Sequence, residues 1–360
     1  MKRIDNFNAG PSALPLSVLE RVREELVDYQ GTGMSVMEMS HRSAAYEAIH
    51  DAAEAKLRRL LNVPDDFRVL FLQGGASLQF AMLPMNFLGR EETALYVLTG
   101  AWSEKAAQEA VRFGRVVVDD QAKDEGYTDV PTQLKRPEDV DLRYVHVTSN
   151  NTIYGTQWRE LPTADSPLVI DMSSDILSRP VDWTNVGLVY AGAQKNLGPS
   201  GVTVVLVRDS FLAGANGDVP TMLGYPTHAK QRSLYNTPPT FAIYIMGLVL
   251  DWIEEQGGVE GIAARNREKA GLLYRVIDDH PDFYLGHAKE RARSDMNVTF
   301  RLSDDELSAR FLAEAAKREF VGVKGHRSVG GCRVSLYNAI SVESAARFAT
   351  FMDDFVRAHR

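Results

Sequence analysis

The sequence predicts an α/β fold built on a mainly parallel sheet, followed by a smaller α+β domain. Two observations support this prediction. Short runs of apolar and β-branched residues alternate with helical segments over the larger, N-terminal part of the chain, which is typical of parallel sheets covered by helices. The chain has 360 residues, of which 44% are hydrophobic and 24% charged, so it is long enough for a large core and two domains.

The elements of the larger part follow in order. Ser17 is expected to cap a first helix that ends near Gln30, because Glu20 stands three residues later, as in a capping box. A second amphipathic helix is expected from Ser43 to Leu61, before Pro64. Further helices are predicted at 78–87, 103–113 and 241–250, and strands at 68–72, 94–98, 116–118, 144–147, 168–170, 188–190 and 202–207.

The pattern changes near Gly257 and Gly258. Beyond them, predicted helices at 259–280, 304–319 and 342–357 are separated by strand-like runs at 296–300 and 333–336. We therefore expect a large domain over residues 1–258 and a small α+β domain over residues 259–360. The N-terminal loop, residues 1–15, is expected to pack on the small domain.

Bulk composition limits the partners and the location. The formal net charge of −8 argues against general nucleic-acid binding, so any anion site must be a local cluster of cations. The single cysteine, Cys332, excludes an internal disulfide and a cysteine-based metal site, and it fits a reducing cytoplasm. The N-terminal segment lacks the apolar run of a secretory signal. The longest apolar run, 241–250, is half of the about 20 residues that a membrane span needs, so no membrane partner is expected.

One lysine stands in surroundings that a surface lysine does not need. Lys195 follows the apolar run 186–190 and several small residues, and it precedes a Gly- and Pro-containing turn at 198–201. Asp171 directly follows a second buried strand, 168–170. An amine and a carboxylate at the ends of buried strands are what pyridoxal phosphate chemistry requires, the amine to bond the cofactor and the carboxylate to keep its pyridine nitrogen protonated. Taken singly, the lysine is typical of a solvated side chain and the aspartate of a helix cap.

Two weaker features accompany this pair. The run Gly74-Gly75-Ala76-Ser77 lies between a strand and a helix, where exposed backbone N–H groups can hold a phosphate, although such a run is often only a tight turn. Trp102 follows a strand, and its indole could either stack on a planar cofactor or pack at a helix start.

Positive side chains recur in glycine-containing loops. His41-Arg42 and His326-Arg327 could together bind a substrate phosphate, and Arg333 could hold a carboxylate. The alternative is ordinary surface charge, since a third such pair, His359-Arg360, is simply the end of the sequence. The segment 236–240 precedes an apolar helix, and its polar side chains either bind phosphate or only begin the helix.

Six segments are distinctive in combination. They are Phe-Asn-Ala-Gly-Pro at 7–11, Ser-Val-Met-Glu-Met-Ser-His-Arg at 35–42, Asp-Met-Ser-Ser-Asp-Ile-Leu-Ser-Arg-Pro at 171–180, Tyr-Ala-Gly-Ala-Gln-Lys-Asn-Leu-Gly-Pro at 190–199, Tyr-Asn-Thr-Pro-Pro-Thr-Phe at 235–241 and Lys-Gly-His-Arg-Ser-Val-Gly-Gly-Cys-Arg-Val-Ser at 324–335. With them the chain resembles, nearly end to end, the phosphoserine aminotransferases, which are class V aminotransferases of the fold-type-I pyridoxal phosphate enzymes. The final three segments are specific to this family.

The resemblance implies a seven-stranded, mainly parallel sheet and a role for each site residue. Lys195 bonds the cofactor and moves the proton between the substrate Cα and the cofactor C4′, while Asp171 pairs with the pyridinium nitrogen. The other implied cofactor ligands are Trp102 on the ring, Thr152 on its oxygen side, Ala76, Ser77 and Gln194 on the phosphate, and Asn236 and Thr237 from the other subunit. The implied substrate ligands are His41 and Arg42 from the other subunit with His326 and Arg327 for the phosphate, and Arg333 for the α-carboxylate.

The resemblance also implies a reaction. It is amino transfer between L-glutamate and 3-phosphohydroxypyruvate, which gives O-phospho-L-serine and 2-oxoglutarate in serine biosynthesis, with 4-phosphohydroxythreonine as a further substrate in pyridoxine biosynthesis. A homodimer with active sites shared across the interface is implied as well. One position departs from part of the family. Ser77 stands where some members carry arginine, so substrate binding is expected to depend more on the two His-Arg pairs.

Two other interpretations stay open. An alanine–glyoxylate-type aminotransferase or a cysteine desulfurase would use the same cofactor. A desulfurase needs a nucleophilic thiol on a mobile loop, whereas Cys332 lies between Gly331 and Arg333 at the start of a predicted strand, where a packing role suits it better. A non-catalytic protein that only binds phosphate or a vitamer would not need both Lys195 and Asp171.

Overall fold

A computed structural model describes residues 3–360 of the protein. Its helices are α1 Leu16–Glu25, α2 Ala44–Leu61, α3 Gly75–Phe87, α4 Ala101–Ala110, α5 Gln121–Asp124, α6 Asp209–Leu212, α7 Tyr225–Lys230, α8 Thr240–Glu255, α9 Gly258–Asp279, α10 Asp305–Lys317 and α11 Val342–His359. Its strands are β1 Asp5–Asn6, β2 Phe67–Leu72, β3 Thr93–Val97, β4 Arg115–Asp119, β5 Leu142–Thr148, β6 Asn150–Asn151, β7 Thr156–Gln157, β8 Leu168–Asp171, β9 Val186–Gly192, β10 Thr203–Arg208, β11 Tyr284–Gly286, β12 Asn297–Leu302, β13 Phe320–Val321 and β14 Cys332–Ser335. No helix in this part of the chain is both long and apolar enough to cross a membrane.

Seven strands form the central sheet, in the order β2-β10-β9-β8-β5-β3-β4. Only β10 runs antiparallel to its two neighbours, and the pairs from β9 to β4 are all parallel. Helices cover the sheet, so strands such as β8 and β9 are buried along their whole length, which explains their continuous apolar sequence. The predicted α/β fold with a mainly parallel, seven-stranded sheet is confirmed.

The sheet brings the predicted lysine and aspartate together. β8 and β9 are parallel neighbours, and Asp171 is in register with Tyr190. Asp171 is the last residue of β8, and Lys195 follows β9 by three residues. Because the carboxyl ends of parallel strands meet at one edge of the sheet, both side chains are delivered to the same crevice, where open α/β sheets bind their ligands.

A second sheet lies in the C-terminal part of the chain. Its strands β11, β12 and β14 are antiparallel, and a separate apolar core packs beneath them. The N-terminal segment joins this part, because β1 pairs in parallel with β13 and the ring of Phe7 lies 5.2 Å from that of Phe348. The domain boundary at residue 258 stays a prediction.

Two predicted helix starts are wrong. α1 begins at Leu16 behind Pro15, without a side-chain cap from Ser17, and it ends at Glu25 rather than near Gln30. The chain then turns where Gln30 and Gly31 take left-handed backbone angles, φ 50° and 78°. α3 begins at Gly75, three residues before the predicted start, because the left-handed Gly74 (φ 86°) turns the chain directly out of β2.

Candidate active site

A cavity of about 460 Å³ opens at the carboxyl ends of β8 and β9. Its volume lies within the range of about 300–1,000 Å³ that is typical of small-molecule sites. Three larger clefts, about 520, 540 and 600 Å³, contain neither Lys195 nor Asp171. The predicted site residues that line the cavity are Ala76, Ser77, Trp102, Thr152, Asp171, Gln194, Lys195, His326 and Arg333.

Lys195 is held on a turn that the N-terminal loop crosses. Ser12 binds this turn twice: its backbone N–H donates to the carbonyl of Gln194 (2.9 Å) and its Oγ donates to the carbonyl of Lys195 (2.5 Å). Lys195 Nζ then donates to Thr152 Oγ1 at 2.9 Å. The amine is therefore half-buried and directed into the cavity, which a solvated lysine would not be.

Asp171 is a buried carboxylate without a cationic partner. Its side chain is 4% exposed, and its Oδ1 accepts a hydrogen bond from the backbone N–H of Ser173 at 2.9 Å. Within residues 3–360 no cation lies at ion-pair distance from it. Burial raises the pKa of Asp171, while the hydrogen bonds from Ser173 and the charge of Lys195 act in the opposite direction. An N–H cation placed in the cavity would stabilise the ionised carboxylate.

The start of α3 offers backbone donors to the same cavity. Gly74 must be glycine, because a Cβ there would lie 2.6 Å from the Leu78 side chain and φ is 86°. The first N–H groups of the helix, among them those of Ala76 and Ser77, have no partner within the helix. They can hold an anion such as a phosphate.

Trp102 and Arg333 each leave a polar atom unsatisfied. Trp102 Nε1 and Arg333 Nε are both buried without a hydrogen-bond partner. Arg333 Nη1 lies 3.4 Å from the carbonyl oxygen of Thr152, so Thr152 contacts both Arg333 and Lys195. Burial lowers the pKa of Arg333, but a guanidinium keeps its proton in proteins. A substrate carboxylate would satisfy the free donor.

His326 lies at the mouth of the cavity beside further positive charges. Burial lowers its pKa, and the charges of Arg333, Arg327 and Lys105 lower it further. Its Nδ1 lies 2.7 Å from Ser328 Oγ. Arg327 is exposed next to it and does not line the cavity. This mouth is therefore electropositive, although the chain as a whole carries a net charge of −8.

Besides Arg327, four further predicted site residues lie outside this cavity. His41, Arg42, Asn236 and Thr237 do not line it, and two of them contact each other, with Thr237 Oγ1 3.3 Å from His41 Nδ1. Gln73 Nε2 also lies 3.5 Å from the Thr237 carbonyl oxygen. Within one chain, these residues therefore form a second cluster outside the cavity. That they contribute to the other subunit's site stays a prediction.

Asp175 is a site residue that sequence reasoning missed. It is fully buried four residues after Asp171 and accepts hydrogen bonds from Ser149 Oγ and from Gln157 Nε2, the latter at 3.1 Å. Burial raises its pKa as well. The backbone N–H of Ser149 donates to the carbonyl oxygen of Asp171 at 3.0 Å, so Asp175 supports the strand end that carries Asp171. The sequence signal that could have identified Asp175 is the presence of a second aspartate in the run 171–175.

Cys332 does not suit the desulfurase interpretation. The thiol is fully buried in β14, among the apolar residues of the C-terminal core. Burial raises its pKa to about 12, so the nucleophilic thiolate is scarcely populated at neutral pH. A desulfurase needs the opposite, an accessible thiol of low pKa.

The residues of the cavity fit pyridoxal phosphate. The unpaired Asp171 carboxylate suits a pyridinium N–H, the free N–H groups of α3 suit the phosphate, and the Lys195 amine lies in the same cavity. Gly10 lies close to the Lys195 side chain, since a Cβ at this position would be 3.5 Å from Lys195 Cγ, and its φ of 143° favours glycine. The fold and this site define an aminotransferase of the pyridoxal-phosphate-dependent class.

The chain belongs to the class V aminotransferase family, whose family model matches residues 4–348. The phosphoserine aminotransferase of Geobacillus kaustophilus (strain HTA426) is 58% identical over 99% of this chain and 99% of its own length. The solved phosphoserine aminotransferase from Bacillus circulans subsp. alkalophilus is 53% identical, with a TM-score of 0.97 and complete coverage of both chains. A phosphoserine aminotransferase from Trichomonas vaginalis, solved with pyridoxal phosphate bound, is 39% identical, with a TM-score of 0.91, over 98% of this chain and 100% of that one.

Proposed function

We propose that the chain binds pyridoxal phosphate at Lys195 and transfers an amino group between L-glutamate and 3-phosphohydroxypyruvate, giving O-phospho-L-serine and 2-oxoglutarate. The observation that supports it most is the single cavity that Lys195, Asp171, His326 and Arg333 line together. The identity of 58% to a phosphoserine aminotransferase over nearly the whole chain supports it further. The proposal extends to 4-phosphohydroxythreonine, because that compound carries the same phosphate and α-carboxylate.

The two ends of the substrate require different cations. Arg333 has a buried, unpaired Nε and a planar fork of donors, which suits the α-carboxylate common to all amino-acid substrates. His326 and Arg327 have no carboxylate partner within residues 3–360 and suit the phosphate. The second carboxylate of glutamate can occupy the phosphate position, so one pocket serves both amino donors and phosphorylated acceptors.

The chain's own residues perform the remaining steps. When bound, pyridoxal phosphate supplies an electron-withdrawing ring that stores the electron pair left when the Cα proton departs. Lys195 Nζ, held by Thr152 Oγ1, is placed to take that proton and to return it one carbon away. Asp171 would keep the ring nitrogen of the bound cofactor protonated, and Trp102 would cover the ring.

We include a homodimer with shared active sites in the proposal. His41, Asn236 and Thr237 form a cluster outside the cavity of their own chain, close to the start of α8. Large apolar side chains are exposed along the sequence next to this cluster, which is unusual for a surface that stays in water. They are Leu26, Val27, Met34, Met37 and Tyr235.

Replacing Arg42 and Arg327 together by alanine tests the phosphate assignment. We expect kcat/KM for O-phospho-L-serine to fall roughly 10- to 100-fold, because two charge-assisted hydrogen bonds are lost. The reaction with L-alanine should change less than about twofold, since L-alanine lacks the phosphate. The measurement is the conversion of the cofactor's visible absorption band after each amino acid is added to the purified protein.

The control is Arg310→Ala, which removes an exposed arginine that pairs with Glu306 on α10. It should leave both reactions unchanged. Equal loss with O-phospho-L-serine and L-alanine would reject the phosphate pocket. A wild-type band that responds to L-alanine and not to O-phospho-L-serine would keep the aminotransferase and reject the substrate. A protein with no band after pyridoxal phosphate is supplied would be a binding protein only.

A further inference from the structure

Lys105 is an exposed lysine beside the cavity, and it does not belong to any predicted site. Lys105 stands three residues after Trp102 on α4, so the two side chains share one face of the helix. Lys105 Nζ lies 4.5 Å from the centre of the Trp102 ring. Trp102 itself lines the cavity. The ammonium group is therefore at the rim of the site.

The charge of Lys105 also acts on His326, another residue that lines the cavity. The positive charge of Lys105 is one of the causes that lower the pKa of His326, together with the charges of Arg333 and Arg327. The contact with Trp102 and this electrostatic effect together place the Lys105 ammonium beside the cavity that Trp102, His326 and Arg333 line.

Lys105 lacks an anionic partner. Within residues 3–360 it makes no ion pair or hydrogen bond. The acidic residues of its own helix are engaged elsewhere, Glu104 with Tyr127 and Lys123, and Glu109 with Arg112. Four cationic or ionisable side chains, Lys105, His326, Arg327 and Arg333, thus act on one another in a chain of net charge −8, and within residues 3–360 none of them pairs with a carboxylate. Such a cluster repels itself unless an anion binds in its centre.

We propose that Lys105 binds the distal anionic group of the substrate, the phosphate of O-phospho-L-serine, and so helps the enzyme select phosphorylated substrates. This inference rests on the proposed function and adds a residue to it. A cation–π contact at an exposed site is weak, so the ammonium can leave the Trp102 ring for a phosphate at little cost. The flexible four-carbon stem provides the reach, and the three N–H donors suit a phosphate oxygen.

The test compares Lys105→Gln, Lys105→Arg and the control Lys317→Gln, which changes an exposed lysine at the end of α10. We expect Lys105→Gln to raise KM for O-phospho-L-serine about 5- to 10-fold with kcat little changed, because one charge-assisted contact is lost. Lys105→Arg should restore the value within about twofold, since it keeps the charge. KM for L-alanine should stay unchanged, and added salt should reduce the difference between Lys105→Gln and wild type.

A second readout does not depend on turnover. Removing a positive charge near an imidazole raises the pKa of that imidazole, so NMR titration of His326 should show a higher pKa in Lys105→Gln than in wild type. Lys317→Gln should leave the His326 pKa unchanged.

Three results would overturn the inference. They are an unchanged KM for O-phospho-L-serine, an equal loss for O-phospho-L-serine and L-alanine, and a weakened cofactor absorption band. The last two would assign Lys105 to the support of Trp102. If wild type itself fails to convert O-phospho-L-serine, the proposed function fails first, and the inference falls with it before any variant is compared.

Discussion

Replacing Lys195 by alanine is expected to abolish amino transfer, with kcat reduced by about 10⁴-fold or more, because covalent attachment and proton transfer are lost together. Lys195 carries the only primary amine among the described residues that line the cavity. No other described side chain that lines the cavity can therefore form the covalent bond to the cofactor. The absorption band of lysine-bound cofactor should disappear as well, which separates lost chemistry from lost substrate binding.

The control for this change is Lys317→Ala, since Lys317 is an exposed lysine at the end of α10 that does not line the cavity. It should keep wild-type turnover and the wild-type spectrum. Circular dichroism and the melting temperature of Lys195→Ala should show that the fold persists, because Lys195 contributes a single side-chain hydrogen bond, to Thr152. Turnover at the native rate in Lys195→Ala would refute the proposed mechanism.

The same variant tests the shared active site. Lys195→Ala retains Arg42, and an Arg42→Ala chain retains Lys195. If Arg42 serves the other subunit, a mixed dimer contains one complete site, and subunit exchange should restore activity with O-phospho-L-serine above the sum of the two parents. If Arg42 serves its own chain, the mixture should show no more than that sum. The assay is a mixing time course at fixed total protein.

The sequence predicts the long buried elements well and the short ones poorly. β8 and β9 are buried on both faces, so their apolar runs stand out in the sequence. β1 and β13 have two residues each and are defined only by their pairing across the fold, which no local periodicity can reveal. The capping pattern at Ser17 fails, whereas Ser35 and Glu38 form a capping box between the first two predicted helices, where no helix is predicted. Both runs have the same local signal, and the backbone fixed by Pro15 decides between them.

Some residues of the candidate active site can likewise be predicted from local sequence, and others cannot. Lys195 and Asp171 were predicted because each follows a buried strand, and the parallel register of β8 and β9 then brings them into one cavity. Ser12 contacts Lys195 across 183 positions of sequence, and Asp175 acts through Ser149. In the sequence alone, Ser12 and Asp175 cannot be distinguished from other polar residues. Their contribution is tertiary and leaves no local pattern.

Asp171→Asn is expected to give the second largest effect. The amide keeps the shape of the side chain and an oxygen for the backbone N–H of Ser173, but it cannot stabilise a protonated ring nitrogen. We expect kcat to fall by about 10²–10³-fold, the usual range for removing one preorganised electrostatic contact. The proposed site and a helix-cap role for Asp171 make different predictions here, since a cap would lose stability and leave turnover nearly intact.

The thermal stability of the cofactor-free protein distinguishes a cofactor-binding role of Asp171 from a helix-cap role. Because burial raises the pKa of Asp171 above its unfolded value, the ionised carboxylate destabilises the fold at pH values above the folded pKa. Cofactor-free Asp171→Asn should therefore melt at a higher temperature than wild type at pH 8. The difference should shrink as the pH falls through the folded pKa and vanish below the ordinary pKa of 3.8, where the carboxyl is protonated in both the folded and the unfolded state. Pyridoxal phosphate should reverse the order by stabilising wild type more.

Asp182→Asn is the matched control for this experiment. Asp182 also accepts a hydrogen bond from the backbone N–H two residues later, Thr184, but it is exposed, and its hydrogen bonds lower its pKa. The effect of ionisation on stability is therefore opposite to that at Asp171, because the ionised Asp182 carboxylate stabilises the fold above its unfolded pKa. Asp182→Asn should melt at a slightly lower temperature than wild type at pH 8. It should respond to the cofactor as wild type does. If Asp171→Asn behaved like Asp182→Asn in both respects, its carboxylate would be a cap, and the ring nitrogen would need another partner.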